Sequence, residues 1–203
     1  MKRGKYKLKR RAERQEETRS RIARAAVELH GTIGPSKTTI GALAEKAGVT
    51  RPTVYSHFPD ELSLFKACSS LFLSEEPPPD PEAWCNVAEP EERLRAALAE
   101  VYAYYRRTER LLFNVLRDAE GDTKVNAAVR EVHKPVVVHW KQMKNILATA
   151  WEVSEETPQQ MLRSAIGVAL DFQTWRTMVR GQGLTDTQAV DLMVRMVRCT
   201  RCV

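Results

Sequence analysis

The chain has 203 residues, 43% hydrophobic and 29% charged, with a formal net charge of +6. That length can bury a sizeable core, as one domain or as a small domain joined to a larger one. With no apolar run long enough to span a bilayer and no apolar h-region behind the basic N-terminus, the expected protein is soluble and cytoplasmic, with no membrane partner.

Glycine is sparse, helix formers dominate, and helical periods recur without sustained period-two alternation, which predicts an all-α fold. The charge is uneven. Residues 1–67 carry 15 Lys/Arg against 7 Asp/Glu, and the remainder carries 17 against 19. A basic head on a near-neutral body is the electrostatic footprint of nucleic-acid binding, with a solvated basic tail as the plainer reading. Four scattered cysteines make no disulfide framework, so reduced thiols are expected. Cys199 and Cys202 have CxxC spacing at the C-terminus but lack the βαβ context or second pair that a redox or metal role requires.

Residues 1–15 hold many lysines and arginines and little apolar content, so a flexible basic arm is expected, with Lys2, Arg3 and Lys5 able to follow phosphates or enter a minor groove. From about Glu16 a first helix sets Ile22, Ala25, Ala26, Leu29 and Ile33 on one face. It ends near Gly31–Gly34.

A helix from about Thr39 to Ala47 aligns Ile40, Leu43, Ala44 and Ala47 in one stripe. Gly48 then supplies a left-handed C-terminal turn, Val49 returns to the core, and Thr50 caps a second helix with Arg51 and Pro52 in its first turn. Two helices about a glycine turn make a helix-turn-helix, which spans residues 16–59 with the first helix as its cover. Its outward side chains suit a DNA groove. Arg51 offers a bidentate fork for guanine, Thr53 can meet a thymine methyl, and Thr50, Tyr55 and His57 can donate to phosphate, with Thr38 and Thr39 at the same edge. A helical corner with a polar face is the competing interpretation of the spacing alone.

These residues, TT-I-x-x-LA-x-x-AGV-x-x-x-TVY-x-HF, continuing into Asp60–Leu64, resemble the TetR family of bacterial one-component transcription regulators. The resemblance covers about the first third of the chain. It implies that Thr53, Tyr55 and His57 lie at the DNA, that the double-stranded operator is bound by a homodimer, and that a small-molecule effector binds the body. Two positions depart from the family pattern: Gly41 stands where a polar or basic contact residue is common, and Glu61 where a phosphate-binding lysine is usual.

Asp60 caps a connecting helix over residues 60–74, carrying Leu62, Leu64, Phe65, Leu71 and Phe72. The resemblance makes it the lever between body and head. Residues 75–92 hold half of the chain's ten prolines, so a linker loop is expected there, with Trp84 folding over a pocket as the functional alternative. The body, residues 93–203, is predicted as a series of helices: 91–105, 108–119, 123–133 with 135–153 as a pair or one helix kinked at Pro135, 158–180, and 185 to the end.

Tyr102, Tyr105, Phe113, Trp140, Phe172 and Trp175 should face inward with Trp84. They are either ordinary core or the lining of an apolar ligand pocket, with Arg106, Arg107, His133, His139 or Gln173 as polar contacts. On the last two helices Leu162, Ile166, Leu170, Leu192, Met193 and Met196 form stripes that either close the core or make a two-fold four-helix interface, and the resemblance implies the interface. His133 and His139 fall about 120° apart on a helix and make poor joint metal ligands. No metal or cofactor is expected. Without a phosphate loop, a nucleophile elbow or a placed carboxylate pair, neither is an enzyme.

The expected function is a ligand-released repressor. A sequence-tolerant architectural DNA-binding protein, or a small-molecule carrier with a vestigial head, is the alternative.

Overall fold

The computed structural model describes residues 2–151 and 156–200, excepting the side chains of residues 2–8, 156 and 157. The described residues are helical throughout their regular structure, with no strand. They gather into two compact units, one of Met1–Pro77 with Glu109–Lys134, the other of Pro78–Thr108 with Pro135–Val203. The second half of the chain is therefore shared between units, where the sequence division at residue 93 placed it in one body.

In the first unit, α1 spans Lys2–Thr32. The sequence placed its start near Glu16 and an irregular arm before it. The correction has a simple cause, because arginine, lysine, glutamate and glutamine are good helix formers without any core to face, and Lys9 pairs with Glu13 one turn on at 3.9 Å. The side chains of Lys2, Arg3 and Lys5 lie outside the described residues.

Gly34, at φ 92° and ψ 158°, ends the helix region, and Pro35–Lys37 forms a 3-10 turn. Helices α2 (Ile40–Ala47) and α3 (Arg51–His57) follow, then α4 (Glu61–Glu75). Ile22, Ala25 and Ala26 of α1 bury against Leu43, Ala44, Ala47, Val54 and Phe58, with Leu64 and Cys68 from α4 closing the core. Each large side chain buried this way contributes about 1.5–3 kcal/mol. Ile33, expected on the buried face, is 40% exposed because α1 has ended before it.

A second cluster joins Phe65 of α4 to Ala119, Val125, Ala128 and Val129. These come from α5 (Pro90–Gly121) and α6 (Thr123–Thr149). The sequence expected two helices over 91–119, and one runs through. Arg106, Arg107 and Thr108 include no helix breaker, and Thr108 satisfies its buried hydroxyl by donating to the Tyr104 carbonyl at 2.8 Å. Helix α6 likewise continues across Pro135.

In the second unit, Pro81–Asn86 forms a 3-10 turn that buries Trp84, whose indole N–H donates to Glu100 at 3.0 Å. The expected helix over 158–180 is divided into α7 (Glu156–Ala169), α8 (Phe172–Arg176) and a π-turn at Thr177–Gly181. Asp171 makes the division by accepting from the Thr174 N–H at 2.7 Å as the cap of α8. Helix α9 (Asp186–Cys199) opens with a capping box between Thr185 and Gln188 and packs on α7.

Candidate nucleic-acid interface

The helix-turn-helix is built by local chemistry. Thr39 caps α2 by accepting from the Ala42 N–H at 3.1 Å. Gly48 takes φ 63° and ψ 41°, the left-handed conformation that a side chain resists, so the chain turns and Val49 N–H donates back to Ala44 at 2.9 Å. Thr50 then caps α3, accepting from the Thr53 N–H at 3.4 Å, and the two threonine hydroxyls bond at 2.8 Å.

Val54 and Phe58 point into the core, which turns the opposite face of α3 outward. Thr50, Arg51 and Tyr55 are exposed, Tyr55 at 56%. Arg51 and Tyr55 lie one turn apart and so share a face. Thr53 and His57 are half-buried. Thr38 is also half-buried and donates its hydroxyl to the Gly34 carbonyl at 2.8 Å. Its donor is used internally. Glu61 sits in the first turn of α4, where its charge complements the N-terminal helix dipole beside the Asp60 cap.

One residue of this site had no local signal in the sequence. Arg19 of α1 donates from Nη1 to the His57 carbonyl at 2.8 Å and sets its guanidinium 4.3 Å from the centre of the Phe58 ring. It satisfies the C-terminal end of α3 from a position 38 residues away.

Behind the head, but still in the first unit, a buried polar cluster secures the end of α1. Asn114 donates to the carbonyls of His30 and Gly31 at 3.2 and 3.0 Å. Asp118 accepts from the Ser36 N–H at 3.0 Å and the Ser36 hydroxyl at 2.8 Å, and from Arg117 at 2.8 Å. Burial pushes the Asp118 carboxyl up, but these hydrogen bonds outweigh it and hold the group below its ordinary range.

The second unit gathers the aromatic side chains that the sequence singled out. Tyr105 is their centre, with ring centroids at 6.4 Å to Tyr102, 5.8 Å to Trp140, 5.3 Å to Phe172 and 5.7 Å to Trp175. The tyrosine hydroxyls are engaged. Tyr102 donates to Ala169 at 2.9 Å and Tyr105 to Leu170 at 2.5 Å, supplying partners to carbonyls at the end of α7. Burial, with nearby Asp171 and other groups adding to it, pushes both phenols well above their ordinary pKa. The indole of Trp175 donates to Asp186 at 3.0 Å, and Arg106 pairs with the same carboxylate at 2.8 Å.

Phe113 belongs to the first unit, half-buried, with Arg117 5.7 Å from its ring centre. His133 is also in the first unit, whereas His139 meets the Pro79 carbonyl at 3.0 Å in the second.

The predicted interface stripe divides. Leu162, Ile166, Leu170 and Met193 are buried within the chain, while Leu192 and Met196 are 41% and 51% exposed. Met161 and Val168, absent from the expected set, are 43% and 50% exposed. Helical periodicity identifies a shared face but not which neighbour covers it, and of the two covers that the sequence left open the four buried residues have the core of their own chain. Among the described residues no cluster of His, Cys, Asp or Glu could hold a metal, and no helix is long and apolar enough to cross a membrane. Cys199 is exposed, and Cys202 lies outside the described residues.

Residues 22–68, from the buried face of α1 to the middle of α4, match the family model of bacterial regulatory proteins, tetR family. The head of this chain belongs to the tetR family. The HTH-type transcriptional regulator SrpR of Pseudomonas putida is 48% identical over 52 residues, 26% of this chain and 24% of that protein. AcrR of Shigella flexneri, also an HTH-type transcriptional regulator, is 44% identical over 50 residues, 25% of this chain and 23% of that one. The chain thus spans about a quarter of the length of the curated relatives it matches.

Beyond the tetR-family head the likeness is one of fold. A tetR-family transcriptional regulator from Streptomyces coelicolor superposes with a TM-score of 0.60 at 22% identity, covering 91% of this chain and 80% of that one. NalD, the secondary repressor of the MexAB-OprM multidrug efflux pump in Pseudomonas aeruginosa, superposes with a TM-score of 0.55 at 17% identity, covering 91% and 96%.

Proposed function

We propose that this protein is a DNA-binding transcription regulator, a homodimeric repressor that reads a palindromic operator and is released by a mainly apolar small molecule. The observation that carries this reading is the exposed face of α3, with Thr50, Arg51 and Tyr55 presented from a tetR-family head. Arg51 would read a guanine edge while Thr50, Tyr55, His57 and the basic start of α1, with Lys2, Arg3 and Lys5, hold phosphates.

Two such heads related by a two-fold axis would meet successive major grooves about 34–36 Å apart. The exposed apolar side chains Met161 and Val168 on α7 and Leu192 and Met196 on α9 support a second copy as their cover. The aromatic group around Tyr105 supports an apolar effector. Because the tyrosine hydroxyls already bond to backbone, an effector would meet ring faces and edges rather than phenol donors.

Release needs only different affinities for the DNA-competent and incompetent states, a coupling of about 1–3 kcal/mol. Helix α4 is the element suited to carry it within the first unit, since Leu64 and Cys68 enter the core of the head while Phe65 enters the cluster with Ala119 and Val129.

Selection of bound sites from random duplexes, at near-physiological salt, tests the proposal. A palindrome should be enriched. Binding without enrichment would instead favour an architectural protein, and no salt-dependent DNA binding would leave a carrier.

A further inference from the structure

Arg51 lies in the first turn of α3, yet its guanidinium packs on the first turn of α2. A Cβ built on Gly41 would stand 2.7 Å from Arg51 Nη2 and 3.3 Å from both Cζ and Nε. Real Cβ atoms essentially never come within 3.0 Å of a heavy atom from elsewhere in the chain, so the guanidinium can occupy this place only because residue 41 has no side chain. Nothing in the backbone asks for glycine there. Gly41 is the second residue of α2 and has no positive φ, unlike Gly34, Gly48 and Gly183. In a helix interior glycine is a poor choice, since it loses more conformational freedom than alanine on folding.

The guanidinium itself has no hydrogen-bond or ion-pair partner among the described residues. A free arginine side chain samples many rotamers, and one seated against a neighbouring helix keeps its planar donor fork in a narrower range before it meets a ligand. The fork is the group that recognises the O6 and N7 acceptors of guanine.

We propose that Gly41 is a specificity-determining residue of the DNA-reading surface: by leaving room on α2 it seats the Arg51 guanidinium and so selects the base pair that Arg51 reads. The proposal rests on the operator-reading function above. It also accounts for a glycine where the family resemblance leads one to expect a contact side chain, because the contact is made by Arg51 from the neighbouring helix.

The test compares bound-site selection by the wild-type protein, Gly41→Ala, Arg51→Ala and the double variant, with thermal melts of each. Gly41→Ala should melt no lower than wild type, because only the far end of a flexible side chain must move. It should change base preference at the same operator position as Arg51→Ala, with discrimination there falling about tenfold, and the double variant should match Arg51→Ala alone. An unchanged preference in Gly41→Ala, effects at different positions, or independent addition of the two would overturn the proposal. An even loss of affinity across all sequences would do the same, making Arg51 a phosphate anchor. If the wild-type protein enriches no motif, the operator-reading function falls and this proposal falls with it.

Discussion

His30 is a buried histidine near the end of α1, 4% exposed, stacked on Phe65 at 5.1 Å with Nδ1 3.8 Å from the Cys68 sulfur. Burial lowers its pKa to about 4, against a smaller opposing pull from the Asp118 carboxylate. The folded state thus refuses a proton that the unfolded chain accepts near pH 6.5. Stability from this group is fully present above pH 6.5 and falls as the pH drops toward 4, by about 1.4 kcal/mol per pH unit across that window. Asp118 acts in the same direction at lower pH, since its folded pKa is also depressed. Urea unfolding between pH 4 and 7 should therefore show a falling midpoint in the wild-type protein and a flatter limb in His30→Gln. Parallel limbs would assign the acid sensitivity elsewhere. The Cys68 thiol, pushed up to about 12 mainly by burial, should stay protonated and unreactive throughout.

At the scale of elements, α3 has seven residues, too few to be stable alone. Its N-terminal end is satisfied by Thr50, its middle by burial of Val54, and its C-terminal end by Arg19 reaching across from α1. Removing that arginine leaves the His57 carbonyl and the Phe58 face without their cation. Arg19→Ala should accelerate amide exchange along α3 about tenfold and weaken operator binding without changing base preference. Unchanged exchange would show that the packing of Val54 and Phe58 suffices. The aromatic side chains around Tyr105 show the same dependence between elements, since the tyrosine hydroxyls of α5 supply partners for carbonyls where α7 gives way to α8.

For the whole molecule, the exposed methionines, leucine and valine of α7 and α9 bear on association. If a second copy covers them, the protein should sediment at twice its 23.1 kDa chain mass. Met196→Lys should then weaken self-association at least tenfold, roughly the effect of placing a charge in a desolvated contact, with little change in unfolding because the side chain is half exposed in the single chain. A wild-type monomer would remove the two-fold reading of the operator.

The helix-turn-helix was legible in the amino-acid order because its signals are local. The Thr39 and Thr50 caps, the left-handed turn at Gly48 and the stripe of Leu43, Ala44 and Ala47 each act within a few residues, so spacing alone places them. Helical character was legible for the same reason, and the tetR-family head with it.

Other features depended on neighbours distant in sequence. The break within 158–180 is held by tyrosines 67 and 65 residues away, Tyr102 and Tyr105, whose hydroxyls donate to the Ala169 and Leu170 carbonyls. The burial of Leu162, Ile166, Leu170 and Met193, the reach of Arg19 and the seat of Arg51 on Gly41 were likewise set only by tertiary packing. A helical period specifies which side chains share a face. It carries no information about which partner that face will meet.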